Sequence, residues 1–438
     1  KSYLNLPFEV LNTCIKKIQK CFLVFDKKNN LSNYFVCIKN GISKYKKDIK
    51  NGYEKVVTAR LSDAEFFYNK DLKNGLEYNI EKLKNIVLYN DAGTIYDKII
   101  RIKRVAFFLN KEFNMMIDNN ILERAIMLSK TDLVTEMVFE YPHLQGVIGK
   151  IYALKLGESN DVADSIEQHY WPLTASSKLP INNVAFLVSI SDKIDTLVIS
   201  FLIGISYSGS EDQHGLRRYG IGFMRMIIER LPNCNLEYIV KKIFDFLLND
   251  TVNCVTLKKS YDNLIKFLYK RMESVFVSYG YQICDIKAVI NTSMNKSNNS
   301  IRILKLKLEA LRNARMNPGL SSIVIIFKRM TNIIHQAKEQ GVNISKIIDE
   351  NLLILNIEKT IYLVIQKTKI KIANCTLRDK YDEIFNEILG MKELIDVFFK
   401  EVVIMTDNYA LKSNRVSIVN CVKNIFIEFV DFSYIIFD

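Results

Sequence analysis

The densest set of polar side chains in the sequence is Asp192-Lys-Ile-Asp195. After an apolar turn it is followed by Ser208-Gly-Ser-Glu-Asp212 and His214-Gly-Leu-Arg-Arg218. Two carboxylates three residues apart stand one helical turn apart, the arrangement of a metal-ligand pair or an acid/base couple. Metal chemistry would require further imidazoles or carboxylates to converge there, and only His214 is nearby in sequence. The plainer expectation is that Asp192 and Asp195 pair with Lys193, Arg217 or Arg218. The four histidines, His143, His169, His214 and His335, form no HxxxH, HExxH or His-Asp pair. His143 reads as a loop or packing residue, and His169 as a helix end or a packed surface position. Neither GxGxxG nor GxxxxGKS/T occurs, so no phosphate-cradling glycine loop is expected. No Ser-His-Asp or Cys-His nucleophile arrangement is suggested, and catalysis by this chain alone is not expected.

A second chemistry is polyanion binding. Phe327-Lys328-Arg329 and the segment Lys412 to Arg415 set cations at helical spacing beside aromatics that can stack on unpaired bases. The competing explanation is a solvated helix face. Lys+Arg outnumber Asp+Glu by 61 to 48, a net charge of +13. That surplus favours polyanions through counterion release. The chain is also rich in Lys, Asn and Ile throughout, as an AT-biased genome produces, so the charge is compatible with nucleic acid without establishing it.

The elements that position these residues read as mainly helical. At 438 residues and 49% hydrophobic content, the chain can bury a sizeable core, and its length suggests about three domains. Gly is 16 and Pro 6, few for an all-β chain, and no proline follows Pro318. Phe8–Gln19 is expected to form a short helix. Cys21–Phe25 and Tyr34–Ile38 flank an Asn- and Lys-rich turn at Asp26–Asn30, a hairpin pattern. From about Val57 a three-to-four spacing sets in through Ala64, Phe67, Leu72, Leu76, Ile80 and Leu83, continuing at Tyr96 to Phe108. Helical stretches are then expected at 122–128, 133–139, 184–205, 216–231, 236–248 and 257–277, with Pro142, Pro172 and Pro180 marking loops. Asn291–Ser300 is the most linker-like segment. Beyond it, helices are expected at 301–315, 323–339, 347–367, 380–405 and 409–432.

The eight cysteines, at 14, 21, 37, 234, 254, 284, 375 and 421, include no CxxC pair. They read as reduced buried thiols rather than disulfides or a zinc site. The opening residues lack a signal-peptide arrangement. The most apolar region, 184–207, is interrupted by Asp192, Lys193 and Asp195 below membrane-spanning length. A soluble cytosolic protein is the expectation, and because the first residue is Lys1, a piece of a longer one.

Several strings, in order, resemble the β subunit of bacterial glycyl-tRNA synthetase. They are Ala59-Arg-Leu-Ser-Asp-Ala64 with Phe66-Phe67, Tyr96-Asp-Lys98 with Arg101-Ile102, and Lys130-Thr-Asp-Leu-Val-Thr-Glu-Met-Val138 with Leu144-Gln-Gly146. Asp192-Lys-Ile-Asp-Thr-Leu197, Ser208-Gly-Ser210 with Leu216-Arg-Arg218, and Phe327-Lys-Arg-Met-Thr-Asn-Ile333 follow. Phe398-Phe399, Met405, Ala410-Leu411, Asn414-Arg415 and Val430-Asp-Phe-Ser433 close the set.

The resemblance implies a mainly α chain with an absent N-terminal portion. The end of an α/β linker domain would occupy 1–57, an HD-like helical domain 58–232, a helical body-tail region 233–300, and an anticodon-binding, DALR-like helical domain 301–438. It implies a partner α subunit, normally two α with two β, and a cytoplasmic enzyme without membrane attachment. ATP and Mg would be used on α, while this chain binds no cofactor and positions glycine tRNA. Lys328, Arg329, Lys412 and Arg415 fall in strings of the anticodon-binding region, and Arg217 and Arg218 follow the Ser-Gly-Ser loop; all six are candidate tRNA contacts. Arg60 and Asp63 are expected to form a structural pair at a helix start. Where an HD phosphohydrolase carries its metal-binding His-Asp pair, this sequence has Thr131-Asp132, with Asp192 as the later aspartate. Two carboxylates without their imidazoles make a poor phosphohydrolase site, so the HD-like domain is expected to be a scaffold. Ile18-Gln19-Lys20-Cys21 and Gln213-His214 also depart from the family pattern. The rival readings are a metal-dependent HD-type phosphohydrolase and a basic RNA-binding scaffold without tRNA identity.

Overall fold

A computed structural model describes residues 2–41, 45–89, 91–205, 212, 214–248, 257–293 and 300–437. The chain is mainly α, and the described residues form two small antiparallel sheets. Two compact units divide it: Lys1–Met226 with Val240–Phe267, and Ile227–Ile239 with Leu268–Asp438.

The first unit opens with α1 (Phe8–Asn12), which runs into a π-helical turn at Thr13–Ile18, and then a hairpin of β1 (Phe22–Phe25) and β2 (Leu31–Val36). The Asp26 carboxylate closes the turn by accepting from the backbone N–H of Lys28 and Asn30, both at 2.8 Å. Phe22 pairs with Val36, so the next positions outward, Cys21 and Cys37, meet, and they form a disulfide. This corrects the expectation that all cysteines are thiols: sixteen residues separate the pair in sequence, and only the strand register brings them together. Cys14, Cys234, Cys284, Cys375 and Cys421 are free thiols, and Cys254 lies outside the described residues.

Helix α2 (Lys46–Asn74) starts well before Val57, because its first turns are exposed and polar and therefore show no apolar periodicity. Arg60 lies inside α2 and pairs with Glu140 at 3.1 Å, in place of the expected Asp63 partner at a helix start. After α3 (Tyr78–Lys82) and a small ladder of β3 (Val87–Tyr89) with β4 (Gly93–Thr94) comes α4 (Ile95–Glu112). A capping box between Thr94 and Asp97 fixes the start of α4. Four shorter helices follow: α5 (Asn119–Leu128), α6 (Glu136–Glu140), α7 (Val147–Lys155) and α8 (Asn160–Gln168).

Helix α9 (Asn183–Leu202) is the axis of the unit. Asn182 caps it by accepting from the Ala185 N–H at 2.7 Å, and every residue from Val184 to Leu202 is buried. A helix apolar on nearly all sides belongs inside a core, and α4, α5 and α8 pack around it.

Helices α10 (Leu216–Arg230), α11 (Leu236–Leu247) and α12 (Leu257–Ser278) follow near their expected positions. The second unit continues with α13 (Ile283–Ser293), α14 (Ile301–Ala314) and α15 (Gly319–Glu339). Helix α16 (Asn356–Leu377) begins nine residues later than its periodicity suggested. Ahead of it, the Asn414 amide accepts from the Asp349 N–H and donates to its carbonyl, both at 2.9 Å, which holds that segment out of a helix. The single helix expected over 380–405 is two, α17 (Tyr381–Gly390) and α18 (Lys392–Glu401), before α19 (Tyr409–Phe429). Phe327, Phe426, Phe429 and Phe432 are buried and form the aromatic core of this unit, with ring centroids 5.7–6.3 Å apart.

Candidate functional site

In the first unit, α4 and α9 bring together ionised groups that are nearly a hundred residues apart in sequence. Lys98 and Arg101 sit one turn apart on α4, as Asp192 and Asp195 do on α9. Lys98 Nζ lies 3.2 Å from Asp192 Oδ1 and 3.1 Å from Asp195 Oδ2. Arg101 Nε donates to Asp195 Oδ1 at 2.7 Å, and Lys130 Nζ lies 2.9 Å from Asp192 Oδ1. All of these side chains are no more than 7% exposed. Buried charges persist only when paired, and this cluster satisfies that requirement internally. Burial works to raise the Asp192 carboxyl, but the ammoniums of Lys130 and Lys98 overcome it and hold the group well below the usual carboxylate range. The structure thus replaces the expected partners Lys193, Arg217 and Arg218 with Lys98, Arg101 and Lys130. The available signal was the presence of Lys98 and Arg101 on the apolar stripe of α4, beside Ile102 and Val105.

Lys193 faces another way. Its Nζ donates to the carbonyls of His169 at 3.1 Å and Trp171 at 2.7 Å and to Ser189 Oγ at 2.9 Å. Burial, reinforced by the charges of Lys130 and Lys98, pushes it down to about 7. His169 ends α8, as expected, but is fully buried rather than at the surface. Burial, with the Lys130 charge beside it, lowers it well below the usual imidazole range. Asp132 is buried with Oδ2 accepting from the Gly146 N–H, while Oδ1 has no hydrogen-bond partner among the described residues; burial pushes it up to about 6. Gly149 gives Asp132 its space, since a Cβ there would lie 3.0 Å from the Asp132 Cβ.

Among the described residues, no three His, Cys, Asp or Glu side chains converge as a metal-ligand set. Thr131 and Asp132 are both buried, with the Thr131 hydroxyl donating to the Leu128 carbonyl at 2.8 Å. His143 is exposed in a 3-10 turn at Pro142–Leu144, and His335 faces Glu339 at 3.4 Å.

The six candidate RNA contacts occupy different settings. Lys328 is exposed and Lys412 half-buried. Arg329 lies over the Phe399 ring, 4.3 Å from its centroid, an arrangement that holds a guanidinium while leaving it at the surface. Arg415 is an internal brace: its Nε donates to Glu358 Oε1 at 2.6 Å and its Nη1 to the Val403 carbonyl at 2.9 Å. Arg217 and Arg218 open α10, Arg217 half-buried and Arg218 exposed. The Ser208–Ser210 loop ahead of them, with Glu211 and Gln213, lies outside the described residues.

Fold and site together define a helical scaffold whose central carboxylates are neutralised from within and whose second unit presents cations on helix faces. Its family is shown by comparison: residues 1–291 match the glycyl-tRNA synthetase beta subunit family, and the chain belongs to it. A glycine–tRNA ligase beta subunit of Sulfurihydrogenibium sp. is 35% identical over 434 residues, covering 99% of this chain and 60% of that protein. Its counterpart in Buchnera aphidicola subsp. Acyrthosiphon pisum (strain 5A) is 34% identical over 435 residues, covering 99% and 61%. That of Syntrophus aciditrophicus is 30% identical over 436 residues, covering 100% and 61%. The chain therefore spans about three-fifths of the length of these relatives. Among its described residues, no helix is long and apolar enough to cross a membrane.

Proposed function

We propose that this chain is the tRNA-binding part of a glycine–tRNA ligase β subunit. It holds the body and anticodon of glycine tRNA so that the 3′ end reaches an active site on a separate α subunit. Glycine is activated there with ATP and Mg, in a cytoplasmic assembly of two α and two β subunits. The observation that carries this reading is family membership, with relatives 30–35% identical along the whole chain. Its chemistry is positional: binding energy gained far from the reacting centre is used to orient the tRNA 3′ end. Lys328, Arg329, Lys412, Arg217 and Arg218 are the proposed phosphate contacts, and Arg415 shapes the surface that carries its neighbours. The HD-type phosphohydrolase is disfavoured because Asp192, the aspartate it would need, is already held by two ammoniums.

The test is binding of the chain to glycine tRNA, to an anticodon-altered version and to an unrelated tRNA at near-physiological salt. Preference for glycine tRNA, weakened by the anticodon change, is the expected result. Equal affinity for all three overturns the identity-reading role and leaves a non-specific basic scaffold with a steep salt slope.

A further inference from the structure

Beside the charge cluster of the first unit lies an open pocket of about 420 Å³, lined in part by Gln145, Tyr170, Trp171, Lys193, Arg218 and Tyr219. This volume lies in the range of sites that enclose a small organic ligand. Trp171 and Tyr219 on the lining are rings of the kind on which unstacked bases lie, while the Tyr170 ring is packed against His169, with centroids 3.8 Å apart, and lies under Lys130 Nζ at 5.4 Å.

The electrostatics favour an anion. Behind the pocket, the buried cations Lys98, Arg101 and Lys130 balance the buried carboxylates Asp132, Asp192 and Asp195, so the excess positive charge at the lining is that of the exposed Arg218, to which Lys193, held at about 7, adds in its protonated fraction. The acidic lining residue, Glu167, is held by Lys150 at 2.8 Å. Lys193 Nζ is taken up by the carbonyls of His169, Tyr170 and Trp171 and by the Ser189 hydroxyl, so it fixes the Trp171 backbone, and Arg218 is the exposed direct donor.

Two glycines preserve the cavity. A Cβ on Gly222 would lie 2.8 Å from Lys193 Cε, and one on Gly146 would lie 2.9 Å from the Tyr170 ring. Either would displace a lining side chain.

We propose that this pocket holds one unstacked nucleotide of a bound RNA, its base against Trp171 and Tyr219 and its phosphate on Arg218. The choice of RNA rests on the tRNA-binding reading above. The pocket chemistry, a base joined to a phosphate, is shared with a free mononucleotide.

Trp171 is the one tryptophan of the sequence, so its emission reports on this pocket alone. The intact chain is titrated with a short single-stranded oligoadenylate RNA, with AMP, with adenosine and with inorganic phosphate. Saturable quenching by the RNA is expected, with adenosine and phosphate each at least about tenfold weaker than AMP, as a bidentate phosphate contact requires. Arg218→Ala is expected to weaken RNA and AMP at least tenfold while circular dichroism stays unchanged, and Arg218→Lys to weaken them less.

RNA binding more tightly than AMP identifies a polymer nucleotide; AMP binding as tightly as RNA identifies a free mononucleotide and overturns the RNA assignment. No saturable quenching by RNA or AMP, adenosine binding as tightly as AMP, or an unchanged affinity in Arg218→Ala overturns the site. Filter binding of glycine tRNA separates the two levels. Retained tRNA binding with a silent pocket sinks this proposal alone, whereas AMP quenching without tRNA binding sinks the RNA reading.

Discussion

Lys98 on α4 and Asp195 on α9 form a buried ion pair, Nζ to Oδ2 at 3.1 Å, with side chains 5% and 0% exposed. Asp195 also takes Arg101 at 2.7 Å, so one carboxylate balances two cations in the centre of the first unit. Removing it leaves Arg101, among the described residues, without a carboxylate at ion-pair distance and Lys98 with that of Asp192. Breaking such a buried pair costs about 3–5 kcal/mol. Asp195→Ala is therefore expected to lower the urea midpoint read by Trp171 emission by that equivalent. A loss below about 1 kcal/mol would show that the cluster is not what joins α4 to α9.

Asp132 gives the first unit a pH dependence that favours the folded chain in acid. Burial pushes its carboxyl up to about 6 from the ordinary 3.8. The folded chain therefore binds its proton more tightly than the unfolded chain does. The associated stability is fully present below about pH 3.8 and is lost as pH rises through about 6. At neutral pH the buried ionised group costs of order 1–3 kcal/mol. Asp132→Asn removes the titration, so the stability of the variant relative to the parent should rise between pH 4 and pH 7. His169 and Asp192 titrate in both proteins and cancel in that difference. A flat difference curve counts against an ionisable, poorly solvated Asp132.

The same cluster shows what the sequence carries and what it does not. Helix positions follow from three-to-four spacing because each helix buries one stripe, and α15 and α19 are found close to where that spacing puts them. Asp192 and Asp195 stand out because charges in an apolar run demand partners. Their partners are Lys98 and Arg101, about ninety-five residues away on α4, and Lys130, about sixty away after α5, and no local pattern encodes which elements pack there. The Cys21–Cys37 bond was hidden for the same reason: strand register, not spacing, makes it. Helix starts were least legible where polar residues dominate, as at Lys46, or where a distant amide intervenes, as Asn414 does ahead of α16.

Arg415 and Lys328 should separate stability from binding. The Arg415 guanidinium and the fully buried Glu358 carboxylate join α19 to the start of α16, where Glu358 also accepts from the Leu355 N–H at 2.8 Å. Arg415→Ala is expected to cost about 3–5 kcal/mol, read as faster amide hydrogen exchange in α16 and α19. Lys328 is exposed, and Lys328→Ala should change stability by less than about 0.5 kcal/mol. If Lys328 meets a phosphate, that substitution lowers the salt slope of tRNA binding by about 1 without altering preference among tRNAs. An unchanged slope removes Lys328 from the interface.

Gly149 tests how closely the scaffold is packed around Asp132. It lies within α7, where Ala would ordinarily gain about 1 kcal/mol of helix propensity. A Cβ there, however, would lie 2.6 Å from Ile166 Cγ2 and 3.0 Å from the Asp132 Cβ. Both neighbours are buried, on α8 and on the 3-10 turn at Thr131–Val134, so relief requires moving one of those elements. Overpacking of this kind costs about 1–3 kcal/mol, which outweighs the propensity gain. Gly149→Ala is thus expected to destabilise the first unit, with a lower urea midpoint by Trp171 emission. Gly52→Ala, where the added methyl meets nothing within 4 Å among the described residues on the same kind of helix, should be neutral or stabilising. A stabilising Gly149→Ala would mean that α7 and α8 can separate at no cost and that the seat of Asp132 is not set by packing.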